Sequence, residues 1–517
     1  MTLFGMTKQA TFLRRLIIAS VVLVSATSHA ATLSAAKPNI IYILADDMGY
    51  ADAGFNGGTE IKTPHLDKLA HGGAVLKSFY VQPVCSPTRA ALLTGRYATR
   101  TGVYTIVSPN AQWGLKPEER TLAQALRDVG YETAIVGKWH LGEFEPAYRP
   151  TQRGFDHQYG PWFGMIDYFT HKRNGQLDWH RDDQQWVKGS GRALWGIEPD
   201  SLKGKLPKFL PEVPEVREDV ADYLGECQAV DAYVGVLLKR LEETGESERT
   251  LVVLSGDHGM PGVPSGKCNL YDMGVSVAFV MRVPGGKPGR IVDDYVCLPD
   301  LASTFMEIGG VKPPEGLYGR SLLPLLKSEK NGQIDSTRDW VITGRERHVG
   351  TAREGNRPYP IRALRTPEFV YIRNFAPDRW PIGSPKGVSA TNAPDFAELE
   401  NETYAAFADL DSSPTKAWLI THRNDPAWQW HYEFAFGKRP GEELYDVRHD
   451  PDQVKNLATD PAFAATKTQL SQRLMKTLTD AKDPRVIEQP PRFELPPFTI
   501  PIDSAPAKQT KRGTPIR

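Results

Sequence analysis

Apolar runs of two different periods alternate along the chain up to about residue 330. The run "NIIYIL", Asn39–Leu44, has no polar alternation and is rich in isoleucine, which predicts a strand buried on both faces of a parallel sheet. "TPHLDKLAHGG" follows with helical spacing: Thr63 stands at the cap, Pro64 in the first turn, and Gly72 beyond the last. "TLAQALRDVGYETAIVGKWHLG" predicts a helix and then a strand. Thr121 and Gln124 have the spacing of a capping box, Gly130 stops the helix, and Glu132–Val136 is the strand. "VREDVADYLGECQAVDAYVGVLLKRLEETG" is a long amphipathic helix ending near Gly245, and "RTLVVLSGDHG" holds a further buried strand, Leu251–Leu254. Buried strands alternating with amphipathic helices predict an α/β fold on a doubly wound, mainly parallel sheet.

Beyond residue 330 the segments "DWVITGRERHV", "IRALRTPEFVYIRNF" and "ELYDVRHDPDQVKNLA" carry short strand patterns, turns and a terminal helix. The expected organisation is an α/β domain over 37–330, a smaller C-terminal α+β domain over 331–485, and a tail over 486–517 that is proline-rich and then basic. At the N-terminus Lys8, Arg14 and Arg15 precede the apolar "LIIASVVLVSA" and the small residues "SHAA", the pattern of a signal peptide spanning 1–31. That run is short for a membrane span. The mature chain is therefore expected in the periplasm or outside the cell, without a stable membrane anchor.

Charge is balanced, 62 basic against 62 acidic residues, so no global positive field invites nucleic acid, and an anionic ligand needs a local cluster. The 4 cysteines, Cys85, Cys227, Cys268 and Cys297, have the spacing of neither a disulfide scaffold nor a zinc site.

Ligands of open parallel sheets bind beyond the carboxyl ends of the strands. Three predicted strands run into polar residues there, and are expected to share one sheet: Asp46 and Asp47, Lys138 and His140, Asp257 and His258. The three aspartates suit a hard divalent cation. Lys138, His140, Arg89 and Lys267 supply the opposite sign, so the set describes an oxyanion site. Cys85 opens the helix "PTRAALLTG", where the helix dipole favours negative charge and lowers a thiol pKa.

"CSPTRAALLTGRY" resembles the signature of the type I, formylglycine-dependent sulfatases of the alkaline phosphatase superfamily, and "ILADDMGY", "GKWHLG" and "SGDHG" resemble the other sulfatase motifs in the family's order. The resemblance implies an alkaline phosphatase-like fold and a sulfuric ester or sulfamate hydrolase. It implies that a separate maturation enzyme oxidises Cys85 to formylglycine, whose hydrate attacks sulfur with one hydroxyl and expels sulfate with the other. Asp46, Asp47, Asp257, His258 and modified Cys85 match the ligands of Ca²⁺, with Mg²⁺ as an alternative. Arg89 and Lys138 match residues that hold the nucleophile, His140 the histidine that takes its proton, and Lys267 the sulfate-binding lysine. "GDHGMPGVPSGKCNLYDMG", "PEVPEVREDVADY", "RERHV" and "EELYDVRHDP" resemble the branch that contains heparan N-sulfatase and bacterial polysaccharide sulfatases. That branch implies a sulfated carbohydrate substrate, leaves N-sulfate and O-sulfate open, and implies a substrate contact from His348.

Two departures stand out. His258 occupies a position where many members carry asparagine; imidazole is a poorer partner for Ca²⁺ than oxygen, so His258 is expected to ligate weakly or to bond the nucleophile or the sulfate. The family's strand between "DYFTH" and the long helix, which ends in a histidine-bearing loop, has no counterpart in "KRNGQLDWHRDDQQWVKGSGRALWGIEPDSLKGKLPKFLPEVPE". His171 and His180 are the nearest replacements. This departure favours a catalytically impaired glycan-binding protein on the same scaffold, while intact Cys85, Arg89, Lys138 and His140 oppose it. A phosphatase or phosphodiesterase of the superfamily is the other alternative; those normally use Ser or Thr as nucleophile, and Cys85 argues against it.

Overall fold

The computed structural model describes residues 37–109, 111–173, 175–185 and 196–496. The predicted signal peptide and the tail residues 497–517 lie outside the described residues. Strands β1 (Asn39–Ala45), β2 (Ala74–Tyr80), β3 (Ala134–Val136), β4 (His157–Gly160), β5 (Thr250–Gly256), β6 (Phe279–Arg282) and β7 (Arg290–Cys297) are followed by β8 (Val341–Arg345), β9 (Ile361–Arg365), β10 (Phe369–Asn374) and β11 (Glu442–Asp446). The helices that matter for the site are α1 (Pro64–His71), α2 (Cys85–Thr94), α3 (Leu122–Arg127), α4 (Pro214–Glu243), α5 (Leu298–Ile308), α6 (Pro414–Thr421) and α7 (Ala464–Asp480).

The main sheet has the order β1-β5-β6-β2-β7. β1 runs parallel to β5 from Asn39 opposite Thr250 to Ala45 opposite Gly256, and β2 runs parallel to β7. Only β6 is reversed, so the sheet is mainly parallel. Successive residues feed opposite cores, as the pleat requires. Leu251, Val253, Phe279 and Met281 pack with α2, α3 and α5 on one face. Val252, Leu254 and Val280 pack with α1 and α4 on the other. Each such side chain contributes about 1.5–3 kcal/mol on burial. The doubly wound expectation holds for this sheet.

Local boundaries follow local chemistry. The capping box of Thr121 and Gln124 forms as expected. Thr63 makes no side-chain cap to α1; Asp231 of α4 instead accepts from His65 N and Leu66 N at 2.9 and 2.8 Å. All four cysteines are free thiols.

Two expectations fail at one edge of the sheet. β1 is not buried on both faces: it is a half-buried edge strand hydrogen-bonded on one side by β5. β3 does not share its sheet. It pairs in parallel with β4, in a small sheet completed by His180–Arg181 and Gln184–Gln185. Val136 is 71% exposed as a result. In the segment noted above, between β4 and β5, the ladders among the described residues are two residues long, and none of them bridges β1 and β3.

The C-terminal sheet is antiparallel in the order β8-β9-β10-β11. One face packs Ile361, Ala363, Val370 and Tyr445 against Tyr80, Tyr271 and Tyr295 of the α/β part. The other receives Leu470, Leu474 and Leu478 of α7. No helix among the described residues is long and apolar enough to cross a membrane.

Candidate active site

The first turn of α2 assembles three loops that are remote in sequence. Cys85 opens this helix. Ser86 Oγ donates to His140 O at 2.8 Å, which reaches the loop after β3. Thr88 Oγ1 donates to Asp257 O at 2.9 Å, which reaches the loop after β5. Arg89 donates to Lys138 O at 2.5 Å and to Asp46 Oδ1 at 3.2 Å, so one guanidinium ties the ends of β1 and β3 across the place where they do not pair. The backbone is strained where it aims side chains: Asp47 and His140 both hold left-handed conformations, φ 64° and 61°. Gly164 lies so close to the His140 ring that a Cβ would stand 2.2 Å from Cε1.

Cys85 Sγ is the meeting point of two ligand triads. Asp47, Cys85 and His258 form one, Asp46, Cys85 and Asp257 the other, each with its donor atoms within 4.8 Å of one another. Asp47 Oδ1 and Asp257 Oδ2 are buried and accept no hydrogen bond. Burial, together with Asp46, Cys85 and Asp47, pushes the Asp257 carboxyl above the usual range. Burial also acts on Asp46, but Lys138 and Arg89 hold its carboxyl well below that range. Three converging carboxylates, two of them with an orphaned oxygen, fit a hard divalent cation. His258 Nε2 lies 3.0 Å from Cys85 Sγ, and Nδ1 lies 3.1 Å from Asp47 Oδ1. Burial opposes its charge, yet Asp257, Cys85 and Asp47 carry its pKa up to about 10. The ring therefore stands among the carboxylates and on Cys85 at once.

The cations sit opposite. Lys138 Nζ donates to both oxygens of Asp46 at 2.9 Å. Burial disfavours a Cys85 thiolate, but Lys138, Lys267 and His258 outweigh it and draw the thiol well below its usual range. His140 differs: burial lowers its pKa to about 4, so the imidazole is neutral. Its Nε2 is paired with Val107 O at 3.1 Å, which assigns the proton there and leaves buried Nδ1 as an unpartnered acceptor.

Of the residues expected from the C-terminal part, His348 is buried with Nδ1 3.3 Å from Asp409 O, and its charge state responds to Asp411, Lys267 and Cys85. His171 and His180 are buried too, but in ring stacks on Trp179 and Trp162, at centroid distances of 4.3 and 3.6 Å. Neither has a hydrogen bond, ion pair or ring contact to the residues around Cys85 among the described residues. One site residue escapes sequence reading. Asp411 Oδ2 lies 3.0 Å from Lys267 Nζ, whose other carboxylate neighbour, Asp47 Oδ1, is at 3.7 Å. The local signal in "DLDSSPTKAW" is the helix start that Ser413 caps, which says nothing about a lysine so far away in the chain.

The sulfatase family model matches residues 38–210 and 197–311. The chain is 28% identical over 500 residues to human N-sulphoglucosamine sulphohydrolase, covering 88% of this chain and 92% of the relative. It is 31% identical over 384 residues to an ulvan-active sulfatase of Formosa agariphila, covering 65% and 73% of the two chains. A protein solved in complex with its substrate, D-glucosamine-2-N,6-O-disulfate, shares the fold, with TM-score 0.60 at 18% identity over 86% of this chain and 98% of that one. This chain belongs to the sulfatase family.

Proposed function

We propose that this enzyme releases sulfate from a sulfated glycan, as an O-sulfate ester or an N-sulfate, with Cys85 as the precursor of the nucleophile. The observation that carries the reading is the setting of Cys85 Sγ, shared by two acid triads and faced by Lys138, Lys267 and Arg89, with a neutral histidine beside it. The glycan class is inferred from the disulfated glucosamine bound by the solved neighbour and from the N-sulphoglucosamine and ulvan sulfatases to which the chain is similar.

Asp46, Asp47 and Asp257 would hold Ca²⁺, or Mg²⁺, with His258 at the edge of the same set. When bound, the cation supplies Lewis-acid stabilisation of charge on the sulfate oxygens. Oxidation of Cys85 by a maturation enzyme supplies an aldehyde hydrate, with two hydroxyls on one carbon. The remaining chemistry belongs to the chain. Lys138 and Lys267 bind outer oxygens of the anion. Arg89 fixes Asp46 relative to Lys138. His140 Nδ1, neutral and unpartnered, takes the proton of the attacking group. His258 Nε2, 3.0 Å from Cys85 Sγ, holds a hydrogen bond at the nucleophile position. Lys267 stabilises the leaving group. The predicted export signal suits an extracellular or periplasmic polysaccharide substrate.

The test is sulfate release from glucosamine N-sulfate, N-acetylglucosamine 6-sulfate, N-acetylgalactosamine 6-sulfate and 4-nitrophenyl sulfate, comparing native protein with Cys85→Ala. Release by the native protein alone supports the reading. Equal release by both, or none by either, sinks it and favours a glycan-binding protein. Intact-mass analysis adds a separate readout: Cys85 should be lighter by the exchange of its CH₂–SH group for an aldehyde, and an intact thiol in active protein would rule out the modification.

A further inference from the structure

Asp411 is out of place in an anion site. It puts a carboxylate against Lys267, one of the cations that act on Cys85, where a further negative charge weakens sulfate binding. The loop that carries it is held from several sides. Below it, Asp409 is fully buried between Arg353, at 2.5 Å, and Arg345, at 3.9 Å, and accepts from Val349 N. The buried Lys416 Nζ donates to Leu410 O and Thr403 O at 2.8 and 3.0 Å. Beyond it, Ser412 N donates to Thr403 Oγ1, and Ser413 Oγ donates to Gly262 O at 2.7 Å, fastening the loop to the strand-end loop of Lys267. None of these bonds uses the Asp411 carboxylate. It pairs with Lys267 through Oδ2, while Oδ1 makes no hydrogen bond among the described residues. The side chain is 29% exposed, close to the 31% of Asp47 on the other side of Lys267. Burial lowers the pKa of His348, and among the charges near it Asp411 opposes this most.

A carboxylate built only to neutralise Lys267 does not need a rigid loop or a second oxygen left without a hydrogen-bond partner. We propose that Asp411 determines specificity for the sugar: its Oδ1 accepts a hydrogen bond from the hydroxyl or ammonium group next to the sulfated position. The preferred substrate then carries a hydrogen-bond donor there, and a second sulfate at that position is rejected by like charge. This rests on the sulfatase reading above.

The experiment compares native protein with Asp411→Asn on the best saccharide of the panel and on its analogue with the neighbouring hydroxyl replaced by hydrogen, 3-deoxy for an N-sulfate and 4-deoxy for a 6-sulfate. Native protein should prefer the hydroxylated sugar by about 10- to 100-fold in kcat/KM, the range for a hydrogen bond to a charged group. Asp411→Asn keeps a neutral acceptor but loses the charge, so the preference should fall by about 3- to 10-fold, mainly through KM, with the deoxy analogue changed less than about threefold. Equal loss on both sugars means that Asp411 only positions Lys267, and overturns the proposal. So does a native enzyme that turns over the two sugars alike. Asp411→Ser, read on the same pair of sugars, serves if the asparagine variant fails to fold. Native protein that releases no sulfate from either sugar removes the hydrolase reading instead, and the subsite with it.

Discussion

Asp409→Asn isolates the buried charge in the Asp411 loop. Asp409 and Arg353 are 2.5 Å apart with 0% and 4% of their side chains exposed. Lys476 and Asp480 on α7 are also 2.5 Å apart, with 77% and 61% exposed. The distances match, so the environment alone separates the two pairs. At about 4 Å and an effective dielectric near 20, unit charges interact by about 4 kcal/mol. Asn keeps the shape of Asp409 and one acceptor, but leaves Arg345 and Arg353 as two buried cations without a counter-charge. Their bonds to Pro381 O, at 2.7 and 2.8 Å, and to Trp380 O, at 2.6 Å, survive and soften the loss. The net cost should be about 3–5 kcal/mol, the usual result of removing one partner from a buried pair. Asp480→Asn should cost under about 0.5 kcal/mol. Urea unfolding followed by tryptophan fluorescence measures both. A loss below about 1 kcal/mol for Asp409→Asn, or equal shifts for the two variants, would refute the claim that burial decides the difference.

Four further outcomes are expected. Arg89→Lys keeps the charge but loses the fork that joins Asp46 to Lys138 O, and kcat/KM for sulfate release should fall by about 100-fold with the thermal midpoint little changed; a loss under threefold would contradict the clamp. Chelation should abolish sulfate release and lower the unfolding midpoint, restored by added Ca²⁺ with about 2.7 kcal/mol of stabilisation at 100 times Kd; a midpoint indifferent to chelator would argue against a site at Asp46, Asp47 and Asp257. Burial lowers the Lys416 pKa from 10.5 to about 7. The unfolded chain then binds the extra proton between pH 7 and 10.5, so native stability gains up to about 1.4 kcal/mol per pH unit across that window; Lys416→Met should remove this rise, and parallel stability profiles would count against it. Val136→Lys on the open edge of β3 should reduce aggregation measured by light scattering without altering kcat, whereas an unchanged aggregation rate would mean that this edge is not the sticky one.

Much of the site was legible because its chemistry is local. Asp46 and Asp47 close one apolar run, Asp257 and His258 another, and Cys85 with Arg89 occupies one helical turn. Each group is placed by the element it terminates, so a strand end or helix start read from periodicity already points at the pocket. The capping box at Thr121 and the two-faced packing of β5 were legible for the same reason: a period of two or of 3.6 is set by backbone geometry within a few residues.

The rest depended on the path of the chain. Nothing in "ETAIV" distinguishes a strand that joins β1 from one that pairs with β4, because sheet order is decided by which backbone edge lies within hydrogen-bonding reach. Asp231 caps α1 and Asp411 meets Lys267 only after distant segments have packed. His140 becomes a neutral acceptor only when burial lowers its pKa and Val107 takes one ring nitrogen. Sequence by itself determined the elements, the cysteine at the head of its helix and the charges available to it, since these follow from local periodicity and residue type. Tertiary structure alone decided which of those charges face one another and which stay paired, since Coulomb and hydrogen-bond energies depend on distance and burial rather than on separation along the chain.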